Sequence, residues 1–354
     1  MQSQRFNYIL QVRGAAALSV VFYHHCHFFW THQDFCARLT HHQPIETAPQ
    51  IATILSAIPI NLGDLGVATF FLISGFLMPI VAQQKTRLQF ITRRIKRIYP
   101  PYLIALLLVL LLGYCYAQYE SKPYQWLLDH IIASLLLVRD IAQYPFIDGI
   151  VWTLEIELKF YLLCMLALPW LSKNPVRFIG LVIGLSALIL VASSVKPYLS
   201  YPDGLHLLRL SAKTMHLITF IGFGVVLSFW HQQRLSLVEV MIATVMLAIL
   251  YFSHGIDRNI PYQEMISYAL ALLVFIGSYL ARHKFTDQNV LAQTGKISYS
   301  LYLMHGVPGF FMLYALVSYG AGIAITVALI YSMVAALIFY RLIERPLLKQ
   351  QSTT

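Results

Sequence analysis

Ten apolar runs, each long enough to cross a lipid bilayer, are the feature that most restricts what this chain can fold into. Apolar residues make up 58% of the 354 residues and charged residues only 11%, whereas soluble domains carry about a quarter charged residues. A membrane-spanning helix needs about 20 mostly apolar residues. The predicted spans are 8–29, 58–82, 98–117, 150–171, 178–194, 214–230, 237–253, 265–281, 297–317 and 322–342. We therefore predict an all-α membrane protein, a polytopic bundle of about ten transmembrane helices.

Basic residues are distributed unevenly between the connections. If the N-terminus is cytoplasmic, the cytoplasmic segments hold 15 Lys and Arg residues and the outer segments hold 7. This positive-inside bias predicts that both termini are cytoplasmic. The formal net charge of +10 then reflects topology and attraction to anionic headgroups, and we expect membrane lipids but no nucleic acid as partners.

The domain organisation predicted from the sequence is simple. We expect one integral membrane domain over residues 1–346 and a short cytoplasmic tail at 347–354, with no appended soluble domain. The four cysteines lack the spacing of metal ligands, so we expect no metal site. Cys26 and Cys36 are either free thiols or a disulfide on the outer side.

The first span contains two ionisable residues whose burial in lipid is energetically unfavourable, Arg13 and His24. An ionisable side chain within a bilayer costs about 2.5–3.5 kcal/mol on insertion scales. Eleven helical steps of 100° come to about 1100°, within about 20° of whole turns, so both residues share one helix face, whereas His25 points about 100° further round. Arg13 and His24 have two interpretations. In one, both face a common site; in the other, Arg13 extends to the lipid headgroups and His24 caps the outer end of the helix.

The fourth span holds a carboxylate, Glu157, within the stretch WTLEIELKFYLL. Glu155 and Lys159 can neutralise each other at i,i+4, but Glu157 lies on another face of the helix. Its predicted depth matches that of His24, so a His–Glu contact would orient a general base and raise its pKa. The alternative is a neutral Glu157 that is hydrogen-bonded within the bundle.

Two further stretches suit a small-ligand pocket. FFLISGF places Ser74 and Gly75 in mid-membrane, where small residues allow close approach of either a helix or a ligand. RRIKRIYPPY sets Arg94 and Arg97 at i,i+3, just before two prolines that we expect to interrupt the helix. The two arginines either clamp phosphates or serve membrane topology alone.

The stretch KISYSLYLMH adds Tyr299 and His305 to the candidate pocket residues. Tyr and Ser residues at helical spacing commonly serve packing and interhelical hydrogen bonds. His305 lies in mid-span with no carboxylate near it in the sequence, so a purely structural role is the alternative for it.

Taken in order, these stretches resemble the acyltransferase-3 family of integral membrane acyltransferases, which includes bacterial polysaccharide O-acetyltransferases. The matching elements run along nearly the whole chain, and Thr153 stands where serine is commoner. They are the arginine, ten residues, histidine pattern of Arg13 and His24; FFxxSG with Phe70, Phe71, Ser74 and Gly75; RxxR with Arg94 and Arg97; Trp152, Leu154, Glu157, Phe160 and Tyr161; Ser298, Tyr299, Tyr302 and His305; and E-x-P with Glu344 and Pro346.

The resemblance implies a multi-pass enzyme of the bacterial inner membrane. Its donor substrate would be cytoplasmic acyl-CoA, most often acetyl-CoA, with no bound cofactor, and its acceptor a hydroxyl of a cell-surface glycan or lipid-linked sugar. The resemblance gives His24 the essential catalytic role and gives the arginines a role in donor binding or activity. Our working hypothesis is that His24, supported by Glu157, removes the acceptor proton while the thioester lies near Arg13 and Ser74.

Three alternatives stay open at this point. In the first, His24 is acylated and then passes the acyl group to the acceptor. In the second, the acceptor is a small molecule or a lipo-oligosaccharide. In the third, the protein is a proton-coupled secondary transporter that uses Arg13, Glu157 and His24 as a relay.

Overall fold

The computed structural model describes residues 6–83, 85–195 and 202–352, and within these ranges every regular element is helical. Seven helices are long and apolar enough to cross a membrane, and an eighth span is formed if one helix pair, bent by 51°, is counted as one. The protein is therefore a helical, multi-pass membrane protein. The count of ten spans and the cytoplasmic termini stay predictions.

Helices follow one another along the described residues of the first half of the chain. They are α1 (Asn7–Tyr23), a π-helical segment (His24–Phe28), α2 (Phe29–Thr31), α3 (Gln33–Thr40), α4 (Gln50–Ala57), α5 (Leu62–Ala82), α6 (Arg87–Tyr119), α7 (Leu128–Leu135), α8 (Trp152–Leu166) and α9 (Leu168–Lys173).

The second half continues in the same way. Its helices are α10 (Pro175–Ser193), α11 (Pro202–His231), α12 (Leu237–Asp257), α13 (Tyr262–Leu280), α14 (Val290–Lys296), α15 (Ser298–His305), α16 (Val307–Leu316), α17 (Ala321–Phe339), a π-helical segment (Tyr340–Glu344) and α18 (Arg345–Ser352). The predicted spans 8–29 and 150–171 fall on shorter helices, α1 with its continuation and α8 with α9. All four cysteines are free.

The chain forms two compact units from interleaved segments. Unit 1 comprises Met1–Val67, Ile95–Trp152 and Ile276–Thr354, and unit 2 comprises Ala68–Arg94 and Thr153–Phe275. In unit 1, α1 packs against α14 and α15, and α17 packs against α15 and α16. In unit 2, α10, α11 and α12 pack against one another.

The α15–α16 connection bends sharply at a single residue, Gly306. Pro308 lies in the first turn of α16 and has no N–H to give to the preceding helix. His305 is therefore the last residue of α15, and the final carbonyl groups of a helix have no partner within it. The bend leaves the His305 carbonyl oxygen available to a neighbouring helix.

The predicted helix break at the double proline is wrong. Helix α6 continues through Pro100 and Pro101 as one element of 33 residues. Each proline leaves the carbonyl oxygen four residues before it without its helical donor, and side chains in membrane proteins commonly donate to such oxygens. The Tyr299 hydroxyl donates to a carbonyl oxygen in the same turn, that of Ile98, at 2.8 Å.

Close approach of two helices in unit 2 depends on Gly75 and Gly224. A methyl group on Gly75 would overlap the Ile221 carbonyl oxygen of α11, and one on Gly224 would overlap the Leu72 carbonyl oxygen of α5. Such glycine contacts let helix backbones touch in lipid. The packing interpretation of Gly75 is thus confirmed.

We expect Gly224→Ala to destabilise the protein by about 1–3 kcal/mol, because the added methyl group forces the two backbones apart. Thermal unfolding of the purified protein in detergent measures the change. Gly184→Ala is the matched control, since no atom lies within 4 Å of the added methyl group. Equal midpoints for the two variants would contradict the close-contact interpretation.

Candidate active site

His24 and His25 both contact His305, although they point in different directions from α1. The His24 Nδ1 atom lies 2.8 Å from the His305 Nε2 atom, and the His25 Nε2 atom lies 3.0 Å from the His305 carbonyl oxygen. Both histidines open the π-helical segment, a local widening of the helix that recurs at functional sites. His25 is fully buried, and its hydrogen bond fixes the backbone of His305.

The hydrogen bonds around this pair determine where each proton resides. The His305 Nδ1 atom faces the carbonyl oxygens of Tyr302, at 2.8 Å, and Leu301, at 3.1 Å. A carbonyl oxygen only accepts, so Nδ1 carries the proton of the neutral His305 ring and Nε2 is an acceptor. The His24 Nδ1 atom must then donate, which leaves Nε2 of the neutral His24 ring with an unprotonated lone pair.

The free nitrogen of His24 is therefore chemically competent as a base or a nucleophile. Among the described residues, the His24 Nε2 atom has no hydrogen-bond partner, and the ring is half-buried. The ring is held from both sides, by His305 at a centroid distance of 5.0 Å and by Phe28 at 5.2 Å. Such an orienting partner for a base is the arrangement that general-base catalysis requires.

Glu157 is hydrogen-bonded within unit 2. Its Oε1 atom accepts a hydrogen bond from the Ser74 hydroxyl at 2.9 Å and another from the Tyr161 hydroxyl. These hydroxyl groups replace part of the solvation that a carboxyl group loses in the membrane. These are hydrogen bonds of the kind expected from the alternative interpretation, in which Glu157 is hydrogen-bonded within the bundle. The predicted contact with His24, which belongs to unit 1, stays a prediction.

Arg13 and Arg97 of unit 1 share one carboxylate, that of Glu344. Glu344 is 7% exposed and accepts a hydrogen bond from the Ser300 hydroxyl at 2.5 Å. Both guanidinium groups lie within electrostatic range of it. Guanidinium groups of this kind form charge-assisted hydrogen bonds with anions. Arg94 is buried and belongs to unit 2.

Asp148 is a residue of the candidate site that no sequence pattern indicated. It is 6% exposed and accepts a hydrogen bond from the Ile150 N–H at 3.3 Å. Its Oδ1 atom lies 3.0 Å from the position that a Cβ atom on Gly306 would occupy. The carboxyl group thus faces the bend that follows His305, outside the predicted spans. Burial raises its pKa to about 7.

The raised pKa of Asp148 predicts a pH dependence of stability. Between its ordinary value of 3.8 and about 7, the folded protein binds a proton that the unfolded chain releases. Stability therefore falls as pH rises through this window, by a few kcal/mol at the order-of-magnitude level. Asp148→Asn keeps the acceptor for the Ile150 N–H and removes the titration. We expect the midpoint temperature of thermal unfolding of this variant to rise relative to that of the wild type as the pH is raised from 5 to 8.

Asp34→Asn, which removes an exposed carboxyl group, controls for the loss of one negative charge. Parallel pH profiles for the wild type and Asp148→Asn would contradict the buried, protonated carboxyl group.

Comparison with known proteins identifies the family. The model of a family described as an acyltransferase domain matches residues 6–341. The exopolysaccharide production protein ExoZ of Rhizobium meliloti is 27% identical over 306 residues, which cover 82% of this chain and 91% of ExoZ. The putative acetyltransferase ORF330 of Acidianus two-tailed virus is 25% identical over 316 residues, which cover 84% of this chain and 81% of ORF330.

A shorter similarity links the chain to the acyltransferase MdmB of Streptomyces mycarofaciens, with 32% identity over 133 residues, 36% of this chain and 34% of MdmB. No solved structure matches the chain at the same level of significance. The family match covers both units and the histidine pair, and the chain therefore belongs to the acyltransferase-3 family and is an O-acyltransferase.

Proposed function

We propose that the protein moves an acyl group, in the simplest case acetyl, from cytoplasmic acyl-CoA to a hydroxyl of a cell-surface glycan or lipid-linked sugar. It would act as a protein of the bacterial inner membrane with both termini in the cytoplasm. The observation that carries the proposal is the hydrogen-bonded His24–His305 pair, which leaves Nε2 of His24 unprotonated. The similarity to a protein named for exopolysaccharide production supports a glycan rather than a small-molecule acceptor.

The transfer step is a proton removal coupled to acyl substitution. The acceptor hydroxyl gives its proton to Nε2 of His24 while its oxygen attacks the thioester carbonyl carbon. The new C–O bond forms, the C–S bond breaks, and the CoA thiolate takes up the proton that His24 holds. The lone pair on Nε2 of His305 stabilises the transient imidazolium. We retain Glu157 as a second stabilising group.

Arg13 and Arg97 are the proposed binding site for the anionic part of the donor. Acyl-CoA carries its negative charges on phosphate groups, and charge-assisted hydrogen bonds from guanidinium groups suit them. The position of both guanidinium groups near Glu344, within unit 1, supports a common role for them. Arg94 and Ser74, of unit 2, stay predictions for donor binding. In the two-step variant, Nε2 of His24 attacks the thioester itself, and the acyl-imidazole then transfers its group to the hydroxyl.

We expect His24→Ala to lower kcat by about 10²–10⁴-fold, because the proton acceptor is lost. His305→Gln should lower kcat by less than His305→Leu, because the Gln side-chain oxygen still accepts from Nδ1 of His24. Release of CoA and transfer of radiolabelled acetyl to envelope glycans measure these effects. The exposed His283→Ala is the control. Wild-type turnover by His24→Ala would refute the assignment.

Labelling of the wild type with radiolabelled acetyl-CoA in the absence of acceptor distinguishes the two routes. We expect no stable label on His24 for direct transfer, and label that a glycan discharges for the two-step route.

We expect Arg97→Ala to raise KM for acetyl-CoA at least tenfold, with little change in KM for S-acetylpantetheine, which lacks the nucleotide phosphates. The reason is that the arginine contacts only the anionic part of the donor. Steady-state kinetics with the two donors measure the split. An equal rise for both donors would show that Arg97 supports the fold rather than the phosphates.

A further inference from the structure

Three aromatic rings follow one another at four-residue spacing from the proposed base toward the outer loops: His24, Phe28 and His32. The His24 and Phe28 rings meet edge to face at 5.2 Å, and the His32 ring stacks on Phe28 at 4.3 Å with 14° between the ring planes. His32 is exposed, whereas Phe28 and His24 are half-buried. Phe28 is supported by Phe35 at 5.9 Å. A continuous aromatic surface thus leads outward from His24.

The outer end of this surface also offers a hydrogen-bond acceptor. The Thr31 hydroxyl donates to the His27 carbonyl oxygen at 3.1 Å, so its own oxygen accepts from the His32 Nδ1 atom at 2.9 Å. The neutral His32 ring then carries its proton on Nδ1 and leaves Nε2 as an acceptor. His24 and His32 therefore present the same tautomer at the two ends of the surface.

We propose that the stacked pair His32–Phe28 is a binding subsite for a second sugar ring of an oligosaccharide acceptor, with the reacting ring at His24. This inference rests on the proposed function. The ring carbon atoms of a pyranose expose an apolar C–H face that packs on aromatic rings, while its hydroxyl groups donate to acceptors such as Nε2 of His32. The combination of an exposed aromatic face and an imidazole lone pair fits that chemistry.

The length of the surface favours a chain of sugars over a single ring. The His24 and Phe28 ring centroids lie 5.2 Å apart and those of Phe28 and His32 lie 4.3 Å apart, so the three rings together extend beyond the width of one pyranose ring. A monosaccharide would reach His24 without touching His32. A glycan of two or more rings would contact both. The acceptor class is therefore an oligosaccharide or a longer glycan chain.

The test uses the full-length protein in lipid nanodiscs with acetyl-CoA and sugars prepared from envelope glycans of the producing strain, separated into single rings and chains of two or more. We expect His32→Ala to raise KM for the chains about tenfold, the effect of losing about 1.4 kcal/mol of stacking and hydrogen bonding. KM for single rings, KM for acetyl-CoA and kcat should stay unchanged. His32→Phe keeps the aromatic face and should recover most of the affinity.

Tyr262→Ala, which removes an exposed aromatic ring in unit 2, is the matched control. If His32→Ala behaves like the wild type on chains, or weakens chains and single rings equally, the subsite is refuted while the transferase activity stands. If the wild type acetylates no saccharide but still releases CoA with another hydroxyl acceptor, the proposed glycan function and the subsite both fall.

Discussion

The hydrogen bond between His24 and His305 is the interaction on which the proposed chemistry of this protein depends. His24 is the donor in this bond, because Nδ1 of His305 donates to the Tyr302 and Leu301 carbonyl oxygens and Nε2 of His305 can then only accept. Two departures from regular helix bring the rings together: the π-helical segment that begins at His24 and the bend after His305. The bend also frees the His305 carbonyl oxygen, which accepts the His25 N–H. Irregular backbone thus builds the site, as is common where polar groups meet within a membrane.

Charged groups in the bundle are stabilised locally, within each unit. Glu344 lies beside two guanidinium groups and a hydroxyl, whereas Glu157 relies on two hydroxyl groups. This difference matters because an unpartnered carboxylate in lipid is costly. In the proposed function, Glu344 positions the arginines of the donor site, and Glu157 is the second stabilising group.

The sequence predicted the helical class and the helix-packing role of Gly75, because apolar run length and small residues in lipid are read directly from composition and spacing. It did not predict the His24–His305 pair. Helical periodicity places a residue on a face of its own helix but does not say which helix that face meets. For the same reason the sequence placed His25 on another face than His24, whereas the structure shows both residues in contact with His305.

Two other features lay beyond the sequence for physical reasons. The double proline was expected to break α6, but the helix continues through it, and a tyrosine from a distant helix donates to the carbonyl oxygen two residues before the first proline. Asp148 belongs to no motif, and its significance arises only because a loop folds its carboxyl group against Gly306. Both depend on contacts between residues far apart in the chain.

The tautomer of His24 can be measured directly by ¹⁵N solid-state NMR of histidine-labelled protein in lipid bilayers, with His24→Gln to assign the resonances. We predict a protonated Nδ1 and an unprotonated Nε2 for His24 in the resting protein. A His24 ring with the proton on Nε2 would contradict it.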